Sequence, residues 1–145
     1  MLAPDVNVLV YAHRVESPDH GRYGEWLTRL ATGAEPFALS DIVCAGFVRV
    51  VTNPRLWRPA TEPATALTFV DRLRRRRACR LLAPGSGTWT IFARLVDAAA
   101  ARGKLVADAY LAALAIENGC TLATCDGDFA RFAELRWVHP LQPSG

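Results

Sequence analysis

Short apolar runs alternate with amphipathic helical patterns along this chain, and few folds accept that order. Residues 2–5, 37–39, 80–82, 122–123 and 137–138 read as strands. Helical spacing covers about residues 7–14, a stretch opening at Ser17-Pro18-Asp19 with Trp26, Leu27 and Leu30 inward, and then about 41–51, 62–77 and 88–101. A last helix carries Asp108 near its start and runs to about Asn118 and Gly119. Strands joined through helices run parallel, because each crossover returns the chain to the same end of the sheet. The expected fold is α/β, with helices covering a mostly parallel sheet of four to five strands. Local punctuation agrees. Ser40 or Asp41 caps the helix that Asn53-Pro54 stops, and Gly119 ends the Asp108 helix.

At 145 residues, 51% of them hydrophobic, the chain reads as one domain over 1–145 with a core of its own. No apolar stretch reaches the ~18 residues of a membrane span, and no basic region precedes the first apolar run as in a signal peptide. Cys44, Cys79, Cys120 and Cys125 form no CxxC pair, and three of them lie in apolar runs. A reducing, cytoplasmic setting is expected, and zinc is not. The net charge is +3, and sixteen of the 17 basic residues are arginine, with Lys104 the single lysine. Guanidinium forks suit phosphate oxygens.

Aspartates interrupt the apolar pattern. Asp5 sits in the apolar run 2–10, Asp108 faces the apolar side of its helix, and Asp126 and Asp128 follow the run 120–124. Ligands of an open parallel sheet bind beyond the carboxyl ends of its strands. Asp5 ends the first strand, Asp126 follows the fourth, and Asp108 is early in the helix before it, so all three reach one edge. Unneutralised, such carboxylates repel one another. An oxygen-only ligand set suits Mg2+ or Mn2+, and phosphate chemistry with it. The same acids also have structural readings: Asp5 as a helix cap, Asp108 as an early-helix acid, Asp126 and Asp128 as turn formers, and Asp41 as part of a Ser40-Asp41 cap.

The residues Asp5-Val6-Asn7-Val8-Leu9, Gly46-Phe47-Val48-Arg49-Val50-Val51-Thr52-Asn53-Pro54-Arg55, Ala107-Asp108-Ala109-Tyr110-Leu111-Ala112-Ala113-Leu114-Ala115 and Thr124-Cys125-Asp126-Gly127-Asp128-Phe129 occur in this order. Together they make a chain that resembles the PIN-domain ribonucleases, and within them the VapC toxins of type II toxin–antitoxin pairs. The resemblance implies a three-layer α/β/α fold and endoribonuclease activity with Mg2+ or Mn2+. It also implies an RNA substrate, a VapB-like antitoxin and a homodimer. Metal ligands would be Asp5, Asp108, Asp126 and Asp128, and catalytic acids Asp5, Asp108, Asp126 and Asp41. Thr124 matches a small hydroxyl that supports the late acid. Arg49 and Arg55, flanking the helix end, are expected to contact RNA phosphates. Trp57 and Trp89 are candidates for stacking on bases, and the helices bearing Trp26 and Phe47 for a partner groove.

One position departs from the family pattern. Gly46 stands where a glutamate is usual, and Asp41, five residues earlier, is about 140° away around the helix. Two other readings follow: a PIN-like module that binds RNA or a partner without cutting, and a haloacid-dehalogenase-like phosphatase, whose two-aspartate motif Asp5-Val6-Asn7 matches only in part.

Overall fold

A computed structural model describes residues 1–142, so the last three residues of the expected 1–145 domain lie outside the described residues. In chain order the elements are β1 (Leu2–Pro4), α1 (Val6–His13), α2 (His20–Thr32), β2 (Phe37–Ser40), α3 (Asp41–Val51) and α4 (Pro63–Arg74). There follow β3 (Cys79–Leu82), α5 (Thr88–Ala99), α6 (Lys104–Glu117), β4 (Thr121–Ala123), a 3-10 turn (Gly127–Arg131) and β5 (Trp137–Val138). The five strands form one sheet in the order β3-β2-β1-β4-β5. Every pairing is parallel, with Leu2 beside Phe37 on one side and beside Thr121 on the other.

This order makes β1 a switch point. From β1 the chain moves outward through β2 to β3, then crosses back to lay β4 against the other side of β1. The crevice at such a switch, beyond the carboxyl ends of the strands, is where α/β sheets bind ligands. Helix α1 packs on α2 and α3, α3 on α4, and α5 on α6, so the sheet is covered as a three-layer α/β/α sandwich. The core runs through the middle of it: Leu9, Phe37, Leu39, Phe47, Ala112 and Leu122 are fully enclosed. Among the described residues no helix is long and apolar enough to cross a membrane.

Element ends depart from the sequence expectation for local reasons. The first strand stops at Pro4 rather than residue 5, because Asp5 already caps α1. Ser17-Pro18-Asp19 is a turn, not a helix start: Asp19 lies in the left-handed region (φ 56°), and α2 begins only at His20. Tyr23, Leu27 and Ala31 form the buried stripe of α2, while Trp26 and Leu30 pack at its margin. Helix α4 ends at Arg74, short of residue 77, and α5 ends at Ala99, where Ala100 takes a left-handed conformation (φ 49°). Ser40, not Asp41, caps α3, its hydroxyl accepting the Val43 N–H at 3.3 Å. Phe47 is wholly buried, so the helix face bearing it is core rather than an open groove.

Candidate active site

The ends of β1 and β4 lie side by side, and their last hydrogen bonds set the geometry of the acids. The Asp5 N–H donates to Ala123 O at 2.9 Å, and the Thr124 N–H to Val138 O at 3.0 Å, so the parallel ladder carries both side chains past the strand ends. Asp5 is buried. Its Oδ1 accepts the Val6 N–H at 2.7 Å and its Oδ2 accepts the Thr124 hydroxyl at 2.8 Å. Thr124, with no exposed surface, accepts in turn the Asp126 N–H at 3.0 Å. One hydroxyl thus joins the first acid to the backbone of the late acid. The cap reading of Asp5 does not take it from the cleft, since the same carboxylate starts α1 and lines the cleft.

Asp126 faces two ways as well. Its Oδ1 accepts the Asp128 N–H at 2.9 Å, which caps the 3-10 turn, and its Oδ2 accepts from Lys104 Nζ at 2.8 Å. The same ammonium lies 3.3 Å from Asp108 Oδ2. Helix α6 starts at Lys104, so Asp108 is one turn in, and the two side chains share a face. Asp5, Asp108 and Asp126 line a cleft of about 260 Å³ with Asn7 of α1, Leu111 of α6, and Ile42, Gly46 and Arg49 of α3.

The electrostatics follow from burial and from that ammonium. Burial pushes the Asp5 carboxyl above the usual carboxylate range, the Thr124 and Val6 hydrogen bonds pull it back, and the Asp126 charge raises it again. Burial also raises Asp108, against the lowering effect of Lys104. Burial acts on Asp126 too, but its hydrogen bonds from Lys104 and Asp128 outweigh it and hold this acid low. The bond to Asp126 holds the Lys104 ammonium above the usual lysine range. The site therefore concentrates negative charge around one cation of the chain's own.

Not every expected residue converges. Asp41 does not line the cleft: its exposed carboxylate holds Arg74 Nη1 at 2.7 Å. Asp128 is exposed at the 3-10 turn, outside the lining, and so is Arg55, whose N–H closes a turn on Asn53 Oδ1 at 3.0 Å. Arg49 is exposed and lines the cleft. Trp57 is covered by the Arg14 guanidinium, 4.7 Å from its ring centre, whereas Trp89 is exposed beside Phe92. Arg76 and Arg77, with Arg80, line a separate hollow of about 590 Å³ at the start of β2 and β3, the opposite edge of the sheet. Among the described residues no three Asp, Glu, His or Cys side chains gather closely enough to hold one metal ion.

Two features went unread in the sequence. Lys104 stands four residues before Asp108, a spacing that signals a helical ion pair beside the acid. Gly46 has a packing reason: a Cβ there would come within 2.9 Å of Val6 Cγ2, where α1 and α3 approach each other. Val6 sits against the position at which the family usually carries a glutamate.

A family model described as PIN domain matches residues 2–135. Ribonuclease VapC43 of Mycobacterium tuberculosis is 48% identical over 141 residues, covering 97% of this chain and 96% of its own. Ribonuclease VapC25 of the same species is 36% identical over 140 residues, with 97% and 99% covered. Among solved structures, a chain of VapBC2 from Rickettsia felis, bound to a DNA fragment from their promoter, superposes with TM-score 0.68 at 21% identity, over 94% of this chain and 96% of that one. The last of these shows the fold alone. The matches set aside the haloacid-dehalogenase-like alternative, and neither ribonuclease relative favours a module that binds without cutting. With its acids at the β1–β4 switch and its near full-length relatives, the chain belongs to the PIN-domain family and, within it, to the VapC ribonucleases.

Proposed function

We propose that this chain is the toxin of a type II toxin–antitoxin pair and cleaves RNA internally as a divalent-metal-dependent hydrolase. One observation carries the metal part of this reading: Asp108 and Asp126 already hold a compact cation, the Lys104 ammonium, between them. A pair of carboxylates with this spacing fits Mg2+ or Mn2+, since Mg2+ binds through one or two carboxylates and completes its shell with water and substrate phosphate. Asp108 and Asp126 would hold the ion, with Asp5 beside them. When bound, the metal supplies an activated water and neutralises charge on the phosphate.

The chain's own residues do the rest. Thr124 fixes the Asp5 carboxylate and the Asp126 backbone together, so the acids are preorganised rather than gathered by substrate. Arg49 offers a guanidinium to a phosphate lying along the cleft. Asp126, the acid held lowest, stays ionised and can orient water or accept its proton. Asp41 and Asp128 would join only after turning from their present positions.

A VapB-like antitoxin and a homodimer belong to the same proposal, as does a cytoplasmic location, which agrees with four free thiols. An acidic cleft open to an RNA strand also admits a partner's arginine. The test combines calorimetry with an RNA cleavage assay. Mn2+ binding and cleavage are expected in the parent, both falling sharply in Asp5→Asn and Asp108→Asn. Unchanged metal affinity in both variants would sink the assignment.

A further inference from the structure

The single lysine of this chain occupies an electrostatically poor place. Lys104 is the first residue of α6. The positive end of the helix dipole lies there, so a cation is disfavoured at that position. The pair it makes with Asp108 also runs in the weaker direction, base before acid. Sixteen other basic positions are arginine. A planar guanidinium would span the gap between two carboxylates as a fork, whereas an ammonium is a compact point charge. The local cost of Lys104 is offset only by what it touches, Asp126 Oδ2 at 2.8 Å and Asp108 Oδ2 at 3.3 Å. Its side chain is 70% exposed, while those of Asp108 and Asp126 are only 14% and 19% exposed. The acids are largely covered, and the cation between them is open to solvent.

We propose that Lys104 is a built-in competitor for the divalent metal: its ammonium occupies the cation position between Asp108 and Asp126, and the metal enters by displacing it. The inference rests on the metal reading above and adds a residue to it. The competition has two consequences. Without metal, the ammonium relieves the repulsion between the two acids and keeps the empty site ordered. With metal, part of the binding energy goes into breaking two ion pairs, so the parent requires more metal than the bare acids would. Exposed ion pairs are weak, and two of them correspond to a shift of about threefold to tenfold in metal affinity.

The displaced group is also a direct reporter. Because Lys104 is the only lysine, acylation of its amine can be followed by mass spectrometry without interference from other side-chain amines. An amine locked in two ion pairs reacts slowly, and a released one faster. The experiment therefore measures Mn2+ affinity of the parent and of Lys104→Met by calorimetry. It also measures the acylation rate of Lys104 in the parent as Mn2+ or Mg2+ is added. The expected results are tighter Mn2+ binding in Lys104→Met by about threefold to tenfold, and acylation that accelerates with half-effect at the parent's own Kd. Parent binding that Lys104→Met leaves unchanged or weakens, or acylation indifferent to saturating metal, overturns the displacement while the metal reading stands. Binding in neither protein overturns both.

Discussion

Thr124→Val tests whether the acids are preorganised by one hydroxyl. The substitution keeps the side-chain shape and removes an oxygen that makes two bonds, to Asp5 Oδ2 at 2.8 Å and from the Asp126 N–H at 3.0 Å. Thr124 has no exposed surface, so water cannot replace the donor to Asp5 without a rearrangement. A hydrogen bond to a charged group contributes about 1.5–3 kcal/mol, and leaving a partly buried N–H unsatisfied costs about 1 kcal/mol more. The expected loss is about 3 kcal/mol, or a fall in Tm of about 10 °C for a domain of this size. Thr124→Ser keeps both bonds and gives up one buried methyl, worth about 1 kcal/mol. Urea denaturation of the metal-free proteins at neutral pH reads both. In an Asp5→Asn background the Thr124→Val loss should shrink by about 1 kcal/mol, because the hydroxyl then faces a neutral amide. A Thr124→Val loss below about 0.5 kcal/mol, the range of an ordinary surface change, refutes the reasoning. So does a Thr124→Ser loss as large as that of Thr124→Val.

Other expectations can be checked alongside it. Arg49→Ala should weaken RNA binding in metal-free anisotropy titrations and lower the salt slope by about one, whereas Arg55→Ala, outside the cleft, should do less. Gly46→Ala should destabilise by about 1–3 kcal/mol despite alanine's better helix propensity, because its Cβ meets Val6 Cγ2 at 2.9 Å. Adding Val6→Ala should recover part of that loss in a double-mutant cycle, and a Gly46→Ala protein as stable as the parent would remove the packing explanation. Glu117 is held below the usual glutamate range by the Thr88 hydroxyl and the Gly85 and Gly87 N–H groups, so its contribution exists above that range and vanishes as pH falls through its lowered value. Denaturation of Glu117→Gln should differ most from the parent at neutral pH, and the two curves should meet in acid.

The sheet and the acids were legible because both are written locally. Apolar runs of strand length alternate with helical spacing, and each site aspartate falls where a run ends or an apolar face should continue. What was not legible depends on contacts between distant segments or on backbone detail. The α1–α3 approach pairs Val6 with Gly46, and no periodicity within either helix reveals it. The anchoring of Gly85, Gly87 and Thr88 by Glu117 likewise joins a loop to the far end of α6. Ser17-Pro18-Asp19 reads as a helix start in sequence, and the left-handed backbone of Asp19 holds α2 back to His20. Lys104 is the exception, since its spacing to Asp108 is local and was there to be read.

The strand order also sets when the site can exist. Asp5 and Thr124 are 119 positions apart, and the strand that brings Thr124 beside Asp5 is the fourth of five. A growing chain on the ribosome can pair β1 with β2 early, but the other edge of β1 waits for β4. Loop closure over that separation is slow, and pairings of this kind dominate the folding time of parallel sheets. Until residue 126 has emerged, a nascent chain holds Asp5 without Thr124 or Asp126, and so without the acid cluster. The acid cluster therefore cannot form before β4 has been made and laid against β1, however early Asp5 itself is synthesised.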